Sequence, residues 1–238
     1  MSEPSLSMDE FDYELPPAAI AQSAASPRDS ARLLVDRGRD MEPEHRRVRD
    51  LVDLLGPGDL LVVNETRVIP ARLPLKKTTG GAAEVLLLEP ASGRWRALVR
   101  PGRRIRPGTE LLSDRDHLLR VVVGEATDDG QRIVEVRHGD TPITSAADAH
   151  LLAEAGEAPL PPYITAPTDG PERYQTVYAA TPGSVAAPTA GLHFTPQLLA
   201  ELAQRGVQRA SVDLVVGLDT FRPVMVDDPA DHVMHTER

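Results

Sequence analysis

The residues with most chemical promise fall in GSVAAPTAGLHFTP, residues 183–196. Small side chains crowd Ser184 to Gly191, and His193 and Phe194 then stand immediately before a helix start marked by Thr195 and Pro196. Backbone N–H groups and one imidazole gathered at a positive helix end would make a pocket for an anion or a substrate. A tightly packed loop with His193 buried as a core histidine accounts for the same pattern, and the residues alone leave both readings open. His232 and His235 in DHVMH lie three apart, as a helical metal pair would, but no third ligand accompanies them, so no metal is expected.

Other chemistries find no motif. The chain has no cysteine, which excludes disulfides, thiolate nucleophiles, iron–sulfur clusters and cysteine-rich zinc sites. GPGDLL carries two glycines of a dinucleotide fingerprint, but Leu61 stands at the third position and the segment precedes a strand. There is no phosphate-cradling P-loop and no G-x-S-x-G elbow to place a nucleophilic serine. Neither a signal-peptide pattern nor an apolar run of membrane-spanning length occurs, and a cytoplasmic protein with no membrane association is expected.

Charge is distributed unevenly. The formal net charge is -10, yet RWRALVRPGRRIR, residues 94–106, holds six arginines and no acid. Residues 67–110 sum to +7 and the rest to -17. Such asymmetry suits a local polyanion site, although a solvated β-surface is the commoner cause of a charge run.

The elements that must position these groups follow from periodicity. SARLLVDR reads as a short buried strand, HRRVRDLVDLLGPGD as a helix with Val48, Leu51, Val52 and Leu55 on one face, and DLLVVN as a second buried strand ending at Asn64. This opening is the β, α, β pattern of a layered α/β domain. From about Val68, RVIPARLPLK, AAEVLLLEP, RWRALVRPG, LLRVVVGEAT and QRIVEVRHG read as five close-set strands, the last two joined by a DDGQ hairpin, which predicts a small barrel. Alternation along RWRALVR places Trp95, Ala97 and Val99 on the inner face and Arg94, Arg96 and Leu98 outside. Helical character returns in AADAHLLAEAG and in FTPQLLAELAQRGV, where Thr195 is the N-cap, Pro196 the first residue and Gly206 the stop; RASVDLVVGL follows as a strand. The fold class expected is therefore α/β: a layered α/β main domain of residues 1–66 and 146–238, interrupted by an inserted β-barrel of residues 67–145.

FDYELP, IAQ, RLLV, GDLLVVNETRVIPARL, GGAAEVLLLE, APLPPYI, RYQTVYA, SVAAPTAGLHFT, LDTFRPV and DHVMHTE occur in this order. Together they resemble the S-adenosylmethionine:tRNA ribosyltransferase-isomerases of the queuosine pathway, over nearly the whole chain. The resemblance implies transfer and isomerisation of the ribosyl part of S-adenosylmethionine onto 7-aminomethyl-7-deazaguanine at the tRNA wobble position. Epoxyqueuosine-tRNA would form, with adenine and methionine released. S-adenosylmethionine is then a consumed substrate, no cofactor is implied, and tRNA is the partner of an enzyme expected to be a monomer. The arginine belt (Arg96, Arg100, Arg103, Arg104, Arg106) would hold tRNA phosphates.

The positive sulfonium acidifies the neighbouring ribose carbon, so a base with a pKa near neutrality is needed, together with a dry pocket and donors for the departing adenine. His193 is the leading base, and Arg67 is placed with it in the catalytic group. Asn64, Thr66, Tyr174, Gln175, Thr189, Gly191, His235 and Glu237 are the expected substrate contacts; polar residues at strand ends are favoured sites in α/β sheets. Arg67 paired with a buried acid, or Tyr174 as a core residue, would be the structural alternatives. Two departures stand out: Val215 occupies a position where the family usually has a histidine, and the segments with which the family continues beyond HVMHTER are absent here. A truncated, inactive homologue retaining RNA binding is the second expectation.

Overall fold

In the computed structural model, the described residues are 7–128, 130–161, 163–164, 170–217, 224–234 and 236–237. His235 and the LDTFRP run, residues 218–223, lie outside them.

Alternation builds the largest unit. In chain order the strands are β1 (Arg32–Val35), β2 (Glu44–Arg47), β3 (Leu60–Asn64), β4 (Thr66–Val68), β5 (Arg72–Lys77), β6 (Ala82–Ala91), β7 (Arg94–Arg100), β8 (Glu110–Leu112), β9 (Leu119–Ala126), β10 (Arg132–His138), β11 (Thr141–Ile143), β12 (Thr181–Ser184) and β13 (Gln208–Val212). The order β10-β7-β6-β5-β8-β9 closes through a β9–β10 pairing into an antiparallel six-stranded barrel, with β11 added along β10. Every second residue of β7 points inward: Trp95, Ala97 and Val99 are buried, as the sequence predicts. Trp95 satisfies its indole N–H by donating to the Ile143 carbonyl at 2.8 Å. Bulges near Leu87–Glu89 and Arg132–Val134 supply curvature. At the second, Gly124 lets the chains close up, since a Cβ there would stand 2.6 Å from the Ile133 carbonyl oxygen.

The barrel corrects the five-strand expectation. It closes with six, because β8 is only three residues long and too short to show a period. RVIPARLPLK is also two elements: β4 pairs with β12, Pro70 follows, and β5 turns into the barrel.

The remaining strands form three pairs: β1 with β2, antiparallel, and two parallel pairs, β4 with β12 and β3 with β13, each of the parallel pairs joining chain before the barrel to chain after it. The helices are α1 (Leu51–Leu54) and α2 (Pro196–Gln204). The caps of α2 follow the sequence: Thr195 accepts from the Leu198 N–H at 3.1 Å, and Gly206 takes φ +84° beyond the last turn. Leu198 and Leu202 of α2 pack with Val48 and Val207 in a second core, against Leu51, Leu61 and Phe194.

Three local expectations fail. HRRVRDLVDLLGPGD is not one helix: residues 44–47 are β2, a 3-10 turn spans Val48–Asp50, and α1 is a single turn. The 3-10 and α turns suffice to bury Val48 and half-bury Leu51 and Val52, and Pro57 blocks continuation. SARLLVDR is a hairpin strand rather than a buried one, since among the described residues β1 pairs with β2 alone and Leu34 is exposed. RASVDLVVGL ends as a strand at Val212, with all five residues of β13 exposed.

Candidate functional site

A cleft of about 570 Å³ opens between the segment 21–32, Tyr163–Ile164, the Arg173–Tyr174 turn and Thr189–His193. Its volume is within the range of small-molecule sites. His193 ends a 3-10 turn, Thr189–His193, and is exposed in the cleft rather than buried in the core. Neither its ring nor the side chains of Tyr174 and Thr189 bond to a protein group among the described residues, so all three are free to meet a ligand. A smaller apolar recess adjoins, walled by Val68, Pro159, Pro161 and Ala187 and sharing Tyr174 and Thr189 with the cleft.

The residue that assembles this site carries no motif or periodic signal in the sequence. Arg28 opens a 3-10 turn, Arg28–Ser30. Its Nη1 donates to the carbonyls of Gln175 at 2.6 Å and Leu192 at 3.4 Å, and its Nη2 to that of Glu172 at 2.9 Å. One guanidinium thus ties the turn carrying Tyr174 to the residue before His193. Arg173 reaches the other way and donates to the Ala25 carbonyl. Burial, then the neighbouring Arg173 charge, lowers the Arg28 pKa from the ordinary arginine value, while Glu172 opposes them.

The other expected site residues divide. Arg67 meets the turn through Glu172, its Nη2 3.0 Å from Glu172 Oε1; this acid is an exposed one. Gln175 is buried and clamps β4: Oε1 accepts from the Val68 N–H at 3.0 Å and Nε2 donates to the Val68 carbonyl at 2.8 Å. Gly191 is buried beneath Tyr178. Asn64 and Thr66 are not among the residues that line the cleft. Asn64 exchanges hydrogen bonds with Leu214 in both directions, and the Thr66 hydroxyl lies 2.8 Å from that of Ser184, which accepts from the Val216 N–H. Val215 sits between these two bonded residues, with Cγ2 3.3 Å from where a Cβ on Gly183 would stand. Glu237 accepts from the Gly217 N–H at 2.7 Å. No group of three His, Asp or Glu residues placed to hold a metal occurs among the described residues.

The arginine belt is two populations. Arg94 and Arg96 on β7 face Glu135 at 4.0 Å and Glu89 at 3.4 Å. Arg100, Arg103, Arg104 and Arg106 are exposed and have no carboxylate partner among the described residues. Their loop is fixed from behind: Ile105 is buried, Lys77 donates to the Arg104 carbonyl at 2.8 Å, and Arg132 donates to those of Gly102 and Ile105 at 3.2 and 3.1 Å.

A family model described as "Queuosine biosynthesis protein" matches residues 8–238. The S-adenosylmethionine:tRNA ribosyltransferase-isomerase of Thermotoga maritima is 49% identical over 234 residues, covering 98% of this chain and 66% of that protein. Its namesake from Moorella thermoacetica is 52% identical over 232 residues, covering 97% and 66%. The chain therefore spans about two thirds of the length of these curated relatives. A crystal structure of S-adenosylmethionine tRNA ribosyltransferase from Thermotoga maritima is similar at 38% identity, with a TM-score of 0.34, over 87% of this chain and 58% of that one. No helix among the described residues is long and apolar enough to cross a membrane.

Proposed function

The chain belongs to the queuosine biosynthesis protein family, and from that premise we propose that it acts as an S-adenosylmethionine:tRNA ribosyltransferase-isomerase. The reaction would move the ribosyl group of S-adenosylmethionine to 7-aminomethyl-7-deazaguanine in the tRNA wobble position and isomerise it to epoxyqueuosine, releasing adenine and methionine. The observation that carries the reading is identity near one half along 97–98% of the chain to proteins named for this activity.

The cleft offers matching chemistry. His193 is the proposed base for the carbon next to the sulfonium, because its exposed ring has no protein partner among the described residues and lines the cleft with Tyr174 and Thr189. Arg67 and Gln175 are assigned to holding the 172–175 turn, Arg67 through Glu172 and Gln175 through Val68. Asn64, Thr66, Gly191 and Glu237 support the backbone around the site in this reading. Arg100, Arg103, Arg104 and Arg106 are assigned to tRNA phosphates. A barrel of residues 67–145 inserted in a layered α/β domain of 1–66 and 146–238, acting as a monomer in the cytoplasm, completes the proposal.

The test is adenine release from S-adenosylmethionine by the purified chain, with and without RNA carrying 7-aminomethyl-7-deazaguanine. Release that depends on the modified RNA is expected. No release from a chain that still binds the RNA overturns the catalytic reading.

A further inference from the structure

The charge of the cleft lining is at odds with that of the chain. Among the described residues that form it are Arg28, Arg32, Arg173 and His193, and not one Asp or Glu, in a protein of net charge -10. Elsewhere cations are routinely matched: Arg72 with Glu84, Lys76 with Asp114, Arg115 with Glu157 and Arg205 with Asp53 all lie within ion-pair distance. Two carboxylates flank these arginines in sequence without lining the cleft: Glu172 is bonded to Arg67, and Asp29 lies 4.0 Å from Arg49.

The three arginines are not equivalent. Arg28 and Arg173 are held by backbone carbonyls, which neutralise no charge. A guanidinium has five N–H donors; the three recorded bonds of Arg28 leave two unused. Arg32 is exposed on β1, where its backbone pairs with Arg47, and its guanidinium has no hydrogen bond or ion pair to any described residue. Arg28 and Arg173 are close enough for their charges to repel, and Arg32 adds a third cation to the same cleft lining, so an anion entering it would relieve the repulsion and gain charge-assisted hydrogen bonds.

We propose that Arg28, Arg32 and Arg173, which all line the cleft, form a subsite for an anionic group of the ligand, a carboxylate or a phosphate. Arg28 and Arg173 form its rigid wall and Arg32 supplies the unpaired cation. The proposal rests on the functional reading above only for which anion is bound: the carboxylate of the methionine moiety, or a phosphate of the RNA backbone.

Arg32→Ala is the first variant, since it breaks no hydrogen bond among the described residues; Arg173→Met is the second. Binding is measured by titration calorimetry with S-adenosylmethionine, its decarboxylated analogue, an unmodified RNA stem-loop and inorganic phosphate. If the carboxylate occupies the subsite, the wild type prefers S-adenosylmethionine over the analogue by about tenfold, and Arg32→Ala abolishes the preference. If an RNA phosphate occupies it, both sulfonium ligands bind alike and Arg32→Ala weakens the stem-loop, lowering its salt slope by about one. Phosphate that binds the wild type but not Arg32→Ala, with no binding of S-adenosylmethionine, upholds the anion subsite and removes the S-adenosylmethionine assignment. Equal binding of all four probes by the wild type and both variants overturns the subsite.

Discussion

The hydroxyl of Tyr178 occupies the space in which a Cβ on residue 191 would stand, so Gly191 is required by its neighbour and not by its backbone angles. Thr176 Cγ2 closes the same space from another side, 3.0 Å from that notional Cβ, and the Tyr178 ring packs at 6.4 Å from Phe194. Gly191→Ala should destabilise the chain by about 1–3 kcal/mol through overpacking. Tyr178→Phe in the same chain should recover part of that loss by removing the oxygen. A denaturation double-mutant cycle with no coupling between the two sites would show that the glycine serves something else.

Gln175 carries a larger penalty. Its amide completes both backbone hydrogen bonds of Val68, a buried residue of β4. Gln175→Leu leaves a buried donor and acceptor unpaired and should cost about 2–4 kcal/mol. Gln175→Glu keeps the acceptor but sets a carboxylate against the Val68 carbonyl, so it should be comparably unstable at neutral pH and partly restored on acidification, when the carboxyl can donate. Urea midpoints at two pH values separate these outcomes.

A pH dependence follows from Asp148. The Thr144 N–H, first, and then the Ser145 hydroxyl and N–H bond to its carboxylate and hold its pKa below the ordinary Asp value. A depressed folded pKa adds stability that is fully present above the unfolded value, about 4, and is lost as pH falls through the folded value. These bonds cap the 3-10 segment Ala146–Leu152, which buries Ala149 and Leu152 against the barrel core. Melting temperature should therefore decline below about pH 4 in the wild type and decline less steeply in Asp148→Asn. Parallel curves for the two proteins would remove Asp148 from the acid response.

Legibility in the sequence tracked the range of the interactions. The inward Trp95, Ala97 and Val99 and the Thr195 cap of α2 are local consequences of period and capping, and both were readable. β8 was not, because three residues between turns carry no period and its partners β5 and β9 define it. His193 and Tyr174 could be singled out, but their meeting in one cleft could not. It depends on Arg28, whose acceptors lie 144 to 164 residues away and are backbone carbonyls, which leave no side-chain signature.

The barrel loop gives a prediction that separates its arginines. Arg96 is engaged with Glu89, whereas Arg103, Arg104 and Arg106 have no carboxylate partners among the described residues and belong to a loop that Lys77 and Arg132 hold by its carbonyls. If the loop meets RNA phosphates, each of Arg103→Ala, Arg104→Ala and Arg106→Ala should weaken RNA binding irrespective of sequence and reduce the slope of log affinity against log salt by about one. Arg96→Ala should change the slope little, since an arginine already facing a carboxylate displaces few counterions on binding. Lys77→Met should weaken RNA binding by more than the loss of one charge, because it frees the Arg104 carbonyl and with it the loop geometry. Slopes from fluorescence anisotropy over a range of salt decide the matter: equal slopes for all variants and the wild type would reduce the loop to a solvated surface.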